Sequence, residues 1–461
     1  MSTQPDALLP TSTLLNINRE GSSVNRVKRA SAHPLLLVFL WSILLLLIGC
    51  RNDTPAAISP AQPLPDNGPS THQLLSREGS GTQQPPDSAD GLVLWVPPFV
   101  SINTASRADA VLAAALAEFA PTPAGSSVTL IPKAERGPAR MLSYLLTTSQ
   151  AASQLMPDIV LLNSFDLPHI VEAGLLPPLA EEESALFQGI PPQLLQTAEL
   201  EGSLYGLPFI ASLEHLVYGR NRLLLPPATW DDFLSQDKRL LFPGSSVDDY
   251  SVSFIWTLYL TGGGRVDEAG NVADPEILRA ALEFLDRGRE MKLIPDSALT
   301  LSSPQAVWTF FVNGNAEMAV VPADLYYNQL IEAGAISFAS LPTLNGEAQA
   351  VVTSWSFVIL TQEPERRQKA VRLLQQLFTP QIQGEWSSSA RQVPTQPAAF
   401  AYWDEEDPYT LFLQEMLLHS VALPSLHTFG EITHIMQQAQ RDILAGEKSP
   451  QEVLDTLPLY P

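Results

Sequence analysis

Cys50 is the residue with the most distinctive chemistry, because it is the only cysteine in the 461-residue chain. A disulfide within the chain is therefore impossible, and no partner residue explains the thiol. Cys50 ends an apolar run, residues 35–48 followed by a glycine, and three basic residues, Arg26, Lys28 and Arg29, precede that run. A spanning helix needs about 20 apolar residues, and this core is shorter. Basic, apolar and small-residue segments in this order predict a secretory signal.

The end of the signal carries a second pattern. Residues 47–50, LIGC, resemble the lipobox of bacterial lipoproteins, in which the cysteine is lipidated and becomes the first residue of the mature chain. The resemblance implies that residues 1–49 are a signal peptide and that Cys50 carries a lipid anchor. The alternative is a plain membrane anchor with an incidental cysteine.

The charge of the chain excludes two classes of partner. The net charge is −23, whereas nucleic-acid binding depends on neutralising phosphates with basic residues. The same charge opposes electrostatic binding to an anionic bilayer. We therefore expect no nucleic-acid partner, and we expect a lipid to hold the protein at the extracytoplasmic face of the cell membrane.

Catalytic motifs are missing from the sequence. It contains no G-x-S-x-G elbow, no H-E-x-x-H pair and no G-x-x-x-x-G-K-[ST] loop, and its seven histidines are scattered. His427 and His434 lie two helical turns apart, and such pairs usually belong to the surface. The sequence predicts no enzyme, no cofactor and no metal site.

The segment before Gly91 and the segment after it differ in composition. Residues 50–90 are rich in Pro, Ser, Gly, Asn and Asp and lack apolar periodicity, which predicts a flexible tether. After Gly91, strand-like and helix-like patterns alternate, which predicts βαβ units and an α/β fold with a parallel sheet. Ligands of such sheets bind beyond the carboxyl ends of the strands. The predicted strands are 92–97, 128–131, 157–162 and 351–360, and the predicted helices are 107–119, 140–155, 167–173, 274–292, 363–378 and 429–445.

Six segments then resemble, in order, the extracellular solute-binding proteins of ABC importers, family 1, the sugar-binding type. In that family an asparagine follows two tyrosines at the position of Gly219, and a lysine occupies the position of Ser203. Both departures caution against copying ligand contacts. The segments are PDIVLLNSFDLPHIVEAGLLPPL from Pro157, GSLYGLPF from Gly202, LVYGRNRLLLPPATWDDF from Leu216, TGGGRVDEAGNVADPEILRAALEFL from Thr261, FVNGNAEMAV from Phe311 and SPQEVLDTL from Ser449.

The resemblance implies a periplasmic-binding-protein-like clamp of two α/β lobes. It implies a monomer that captures a small solute, a sugar, between its lobes, closes by hinge motion and docks on membrane permease subunits. Three crossings between lobes are expected near residues 208–212, 318–322 and 351–356. Lobe one would comprise residues 91–209 plus 321–351, and lobe two residues 212–319 plus 357–461.

Candidate ligand residues follow from these positions. A sugar site pairs aromatic platforms with a few polar groups in a mostly apolar cleft. Trp355 at the third crossing is the first candidate, with burial in a strand as its alternative. The other candidates, each with a capping, packing or surface ion-pair alternative, are Tyr250 before a helix, Asp324 and Tyr326 after the second crossing, Phe99, Asn163 and Phe165 at strand ends, Glu214 past the first crossing, and Arg391 in SSSARQVPT.

Two other functions stay open at this point. Related binding proteins capture ferric iron with adjacent tyrosines, and Tyr326 and Tyr327 form such a pair. A lipoprotein that kept the clamp for sensing or adhesion is the second alternative. Trp256 and Trp386 are expected to pack in the protein core rather than to contact ligand.

Overall fold

The computed structural model describes residues 91–103, 105–120, 127–180, 183, 188–245, 252–267, 271–329, 335–423 and 429–457. The predicted signal peptide, Cys50, the predicted tether and Tyr250 lie outside these residues. In the described part of the chain, no helix combines the length and apolarity needed to cross a membrane.

Strands and helices follow one another in the order that the sequence predicts. The strands are β1 Leu92–Val96, β2 Val128–Pro132, β3 Ile159–Asn163, β4 Glu199–Leu200, β5 Ser203–Leu204, β6 Leu207–Gly219, β7 Leu240–Leu241, β8 Met318–Pro322, β9 Ile336–Ala339, β10 Ala350–Ile359, β11 Val393–Pro394 and β12 Ser420–Ala422. The helices are α1 Arg107–Phe119, α2 Met141–Ala151, α3 Leu167–Glu172, α4 Pro192–Leu195, α5 Trp230–Ser235, α6 Phe254–Thr261, α7 Pro275–Glu290, α8 Pro304–Val312, α9 Ala323–Gln329, α10 Pro364–Leu377, α11 Pro380–Ala390, α12 Pro408–Leu418, α13 Phe429–Ala445 and α14 Pro450–Thr456.

A mixed sheet organises the described residues, with the strand order β2-β1-β3-β10-β6-β8-β7. The first three strands are parallel, as the βαβ pattern predicts. Strand β10 then pairs antiparallel with both β3 and β6, and β6 pairs antiparallel with β8. The remaining strands of this sheet extend β6 and β10 at their ends.

Strands β6 and β10 are shared by the two halves of the sheet. The first part of β6 pairs with β10 and β11, whereas its last residues, from Glu214 to Gly219, pair with β8 and β9. Strand β10 pairs with β12 over residues 350–352 and with β3 over residues 355–359. Here the first half means β1–β3 with α1–α3, α10 and α11, and the second half means β7–β9 with α5–α9 and α12–α14.

Different cores cover each face of this sheet in the two halves, because successive strand residues point to opposite faces. On the face of Val351 and Phe357, the core of α5, α6, α7, α13 and α14 covers the second half and the core of α1, α10 and α11 covers the first. On the opposite face, α2 and α3 cover the first half and α8, α9 and α12 cover the second. On the face of Val351 and Phe357 the two cores are separate, and a gap lies between them. Trp256 and Trp386 are buried, as predicted.

The observed pairing departs from the sequence-based division of the lobes. Strand β8, which that division treats as a crossing, and strand β9, which it assigns to lobe one, both hydrogen-bond to the end of β6 in the second half. Helices α10 and α11, assigned to lobe two, pack on α1 and β1 in the first half. The family motifs fixed the order of these elements, but only backbone pairing and helix packing determine the half to which each one belongs.

A buried ion pair fixes α10 to the first half. Arg366 of α10 donates from Nε to Asp158 Oδ1 at 2.7 Å and also donates to the carbonyl oxygen of Gly91. The Asp158 carboxylate, 5% exposed, also accepts from the backbone N–H of Val93 at 2.7 Å. One carboxylate thus joins the beginnings of β1, β3 and α10.

We expect Asp158→Ala to lower the free energy of unfolding by about 3 kcal/mol, because it removes the buried carboxylate to which both the Arg366 guanidinium and the Val93 N–H donate. Lys292→Ala, which breaks the exposed pair with Asp296, is the control and should cost at most about 1 kcal/mol. Urea denaturation of both variants measures the difference. Equal losses would contradict the structural role of Asp158.

Candidate functional site

The gap between the two cores contains a cavity of about 360 Å³, called the cleft below. Its floor is formed by alternate residues of the two shared strands. Its walls come from the loops after β1, β2 and β3 on one side and from the beginnings of α8 and α9 on the other. The floor residues are Ile210, Ser212 and Glu214 of β6 and Val351, Thr353 and Trp355 of β10.

Strand register explains why these floor residues meet. Trp355 lies opposite Asn163 on β3 and opposite Ile210 on β6. Thr353 lies opposite Ser212. Residues directly opposite each other in a sheet place their side chains on the same face, so the pairing gathers polar and aromatic side chains at the point where β6 and β10 pass from one half to the other.

Aromatic rings form one wall of the cleft. Trp355 is only partly buried, and Phe99 packs edge-on against it, with ring centroids 5.4 Å apart at 83°. This T-shaped contact is a preferred aromatic geometry and orients the indole. Phe165, from the loop after β3, packs against the core of the second half. Aromatic surface is therefore available to stack against an apolar face of a ligand.

Two strongly buried polar side chains present unused hydrogen-bonding groups to the cleft. Thr353 is 8% exposed, and within the described residues its hydroxyl makes no hydrogen bond. Asn163 is 9% exposed, and its Oδ1 accepts from the backbone N–H of Phe165 at 3.1 Å. The Asn163 amide nitrogen has no partner in the described part of the protein. Buried polar groups are normally paired, so both groups fit a role in binding ligand.

Carboxyl groups in the cleft are shifted towards their protonated forms. Burial raises the pKa of Glu214 from 4.5 to about 7. Burial also raises the pKa of Asp324, although backbone N–H groups at the beginning of α9 oppose the shift. Burial raises the pKa of Glu135, which Arg136 lowers and the charge of Asp324 raises further. Desolvation disfavours an isolated charge, so each carboxyl would gain from a positively charged or hydrogen-bond-donating ligand.

A cation–π contact holds the loop that carries Glu135 and Arg136. The Lys133 ammonium lies 4.4 Å from the ring centroids of both Trp95 and Tyr144. Its backbone N–H donates to Val96 at 2.9 Å. These contacts tie the loop after β2 to β1 and α2, and so fix one wall of the cleft.

The structure places six of the nine predicted ligand residues around the cleft: Phe99, Asn163, Phe165, Glu214, Asp324 and Trp355. Tyr250 lies outside the described residues. Tyr326 and Arg391 are not among the residues that line this cleft. Arg391 ends α11 in a left-handed conformation, with φ 55°, and donates to the Asn328 carbonyl at 3.0 Å.

Tyr326 is 1% exposed and belongs to the aromatic core behind the cleft. It packs edge-on against His215, whose Nε2 is 2.8 Å from the Tyr409 hydroxyl. Burial lowers the pKa of His215 to about 4. Tyr327 stacks on Trp403 instead of lining the cleft. The tyrosine pair therefore does not form an iron site there, and among the described residues no group of three or more His, Cys, Asp or Glu side chains is placed to hold a metal.

Sequence reasoning missed several residues that line the cleft. Thr353 and Ser212 lie two positions from Trp355 and Glu214, so strand alternation was a usable signal for them. Glu135 and Arg136 follow the second predicted strand, so their position after a strand end was a usable signal for them. Gln305 and Gln392 carried no signal, because only packing brings the beginning of α8 and the end of α11 to the cleft.

The model of the bacterial extracellular solute-binding protein family matches residues 145–410. The chain belongs to this family. The predicted family is thereby confirmed, and so is the expectation that the chain is not an enzyme, because this is a family of binding proteins.

Solved structures of similar fold cover most of this chain and nearly all of their own. The maltose-bound MalE3 of T. maritima has 19% identity and a TM-score of 0.60, covering 79% of this chain and 97% of its own. A cyclo/maltodextrin-binding protein complexed with maltotetraose has 17% identity and a TM-score of 0.64, covering 81% and 96%. An ABC transporter solute-binding protein from Thermotoga lettingae TMO, bound with α-D-tagatose, has 20% identity and a TM-score of 0.60, covering 80% and 97%. The α/β periplasmic-binding-protein-like fold is thus confirmed.

The shifted pKa of Glu214 gives a prediction about stability. Between pH 4.5 and about 7 the folded protein holds a proton on Glu214 that the unfolded chain releases. This contribution is fully present below pH 4.5 and is lost as the pH rises through 7. We expect Glu214→Gln, which resembles the protonated form, to exceed the wild type in unfolding free energy by about 1–3 kcal/mol at pH 8 and to match it near pH 4.5.

Denaturant unfolding at both pH values measures this difference, and Glu172→Gln, at an exposed site on α3, is the matched control. A gain for Glu214→Gln that does not change with pH would contradict the assignment.

Proposed function

We propose that this protein is the extracytoplasmic solute-binding lipoprotein of an ABC importer, and that it captures a carbohydrate-type solute in the cleft and delivers it to a permease. The observation that carries the proposal is the position of the cleft, at the shared strands of a sheet whose two halves have separate cores on that face. A ligand there contacts both halves at once. Such a ligand favours the closed arrangement only through contacts that the open one lacks.

In this proposal the two halves are the lobes of the clamp. Lobe one comprises about residues 91–210 and 356–402, and lobe two comprises about residues 212–352 and 408–457, a division drawn from strand pairing and helix packing. The hinge consists of β6 near Ser212, β10 near Thr353 and the segment before α12. The register of β6 and β10 is irregular between Trp355 and Ser356, which makes this the point at which the shared sheet is best able to bend.

A carbohydrate-type solute suits the mixture of side chains in the cleft. The Trp355 indole, held by Phe99, offers a flat surface to the C–H face of a sugar ring, while Thr353 and Asn163 offer hydrogen bonds to hydroxyls. The structures of three fold relatives contain maltose, maltotetraose and α-D-tagatose, and the cleft of this protein offers groups that complement ligands of this chemistry.

Trp355→Ala is expected to weaken binding of the solute by at least about tenfold, equivalent to about 1.4 kcal/mol. Thermal-shift screening of oligosaccharides, polyols and sugar phosphates identifies a ligand first, since ligand at 100 times its Kd adds about 2.7 kcal/mol of stability. Calorimetric titration then compares Trp355→Ala with Phe310→Ala, an exposed aromatic outside the cleft. Unchanged affinity in Trp355→Ala would remove the site assignment, and inert sugars beside an active solute of another class would overturn the carbohydrate proposal.

The anchor gives a separate prediction. We expect Cys50→Ser to release the protein from the membrane fraction, because lipidation of the LIGC cysteine is the proposed attachment. Fractionation of cells that express each form, with mass spectrometry of the mature N-terminus, measures the outcome. An unmodified wild-type chain that begins elsewhere than Cys50 contradicts the proposed anchor and leaves the solute-binding proposal unaffected.

A further inference from the structure

The charges around the cleft are strongly unbalanced. Three carboxyl residues line it, Glu135 from the first half and Glu214 and Asp324 from the second. Arg136 is the one basic residue among the described residues that line it, and its position is exposed. Within the described part of the protein, neither Glu214 nor Asp324 forms an ion pair. The walls therefore present more acidic than basic groups to whatever occupies the cleft.

Carboxyl groups on the two sides of the cleft interact electrostatically. The charge of Asp324, at the beginning of α9, raises the pKa of Glu135, which lies after β2 on the opposite side. Closing the lobes over a neutral solute would bring these carboxylates closer together while removing water from them. Burying unpaired charges is costly, so a neutral ligand must overcome a penalty that a positively charged ligand removes.

The polar groups on the floor define the rest of the ligand. The Thr353 hydroxyl and the Asn163 amide nitrogen are unpartnered among the described residues, are at least nine-tenths buried and line the same cavity. They lie on neighbouring strands beside Trp355, since Asn163 pairs directly with that residue. A ligand that uses both groups needs hydroxyls next to a stackable ring, and the carboxyl groups that line the same cavity favour a positively charged group on that ligand.

We propose that the solute is an amine-bearing saccharide, whose ammonium group binds Glu214 with Asp324 and Glu135 while its ring stacks on Trp355 and its hydroxyls bind Thr353 and Asn163. This inference rests on the proposed function and narrows its substrate class. The ammonium supplies the contact that differs between open and closed lobes, because it sits between carboxylates of opposite walls and converts their repulsion into attraction. Excluding water lowers the local dielectric constant, which strengthens the Coulomb attraction between the ammonium and the carboxylates.

The experiment titrates the full chain, in detergent, with matched ligands. Glucosamine oligomers carry the amine, their N-acetylated counterparts keep the ring but lose the charge, glucose oligomers lack the nitrogen, and spermidine carries amines without a ring. We expect glucosamine oligomers to bind at least about tenfold more tightly than both neutral series. We also expect Glu214→Gln to abolish that preference, Glu172→Gln to keep it, and Thr353→Val to weaken both saccharide types alike.

Affinity for the amine should also rise with pH. Glu214 is the group whose ionisation we expect to cause this dependence. The charged groups that share the cleft with it are Glu135, Asp324 and Arg136. His215, the next residue on β6, forms its side-chain hydrogen bonds in the core behind the cleft. Between pH 5 and 6 the ionised fraction of the Glu214 carboxyl, whose pKa is about 7, rises about tenfold while the amine remains mostly protonated, so binding should strengthen in the wild type. In Glu214→Gln this dependence should be largely lost.

Three results would overturn the inference. Neutral saccharides that bind as tightly as glucosamine oligomers would refute the role of the amine and leave the proposed carbohydrate function intact. Binding of spermidine alone would refute the saccharide. If none of the four probes shifts the melt while another solute class does, the inference and the carbohydrate proposal both fail, and only the fold and the family survive.

Discussion

The backbone pairing of β6 and β10 is the constraint on which the rest of the structure depends. Both strands hydrogen-bond to partners in both halves, so neither half has a complete sheet without them. On the face of the sheet that Val351 and Phe357 share, each half has its own core, and the cleft lies between these two cores. The cleft therefore results from two separate cores that pack on one face of a shared sheet.

The same two strands also determine the chemistry of the cleft. Successive strand residues point to opposite faces, so Glu214 faces the cleft while His215 packs into the aromatic core behind it. The environment then separates their behaviour: burial shifts Glu214 towards its protonated form and His215 towards its neutral form. The alternation of the strand thus places Glu214 at the ligand cleft and the neighbouring His215 in the protein core.

Family membership and site chemistry give different kinds of information about this protein. The family match and the fold relatives define a solute-binding protein with a periplasmic-binding-protein-like fold. At 20% identity or less these solved relatives carry the fold and not the contacts, and the residues of this cleft must be considered on their own. The cleft beside Trp355 has more carboxyl groups than basic groups, which is a property of this chain's own side chains. The charge of the ligand is therefore expected to affect its affinity.

The sequence by itself determined the family, the order of strands and helices, and most of the aromatic and polar residues near strand ends, because these follow from local periodicity and motif order. It did not determine which half α10 or β9 joins, nor that Tyr326 is buried while Trp355 lines the cleft. Those outcomes depend on strand register and on helix packing, which join residues far apart in the chain. Local pattern specifies that a side chain lies on a strand or a helix, and only the tertiary structure decides which of its faces is covered.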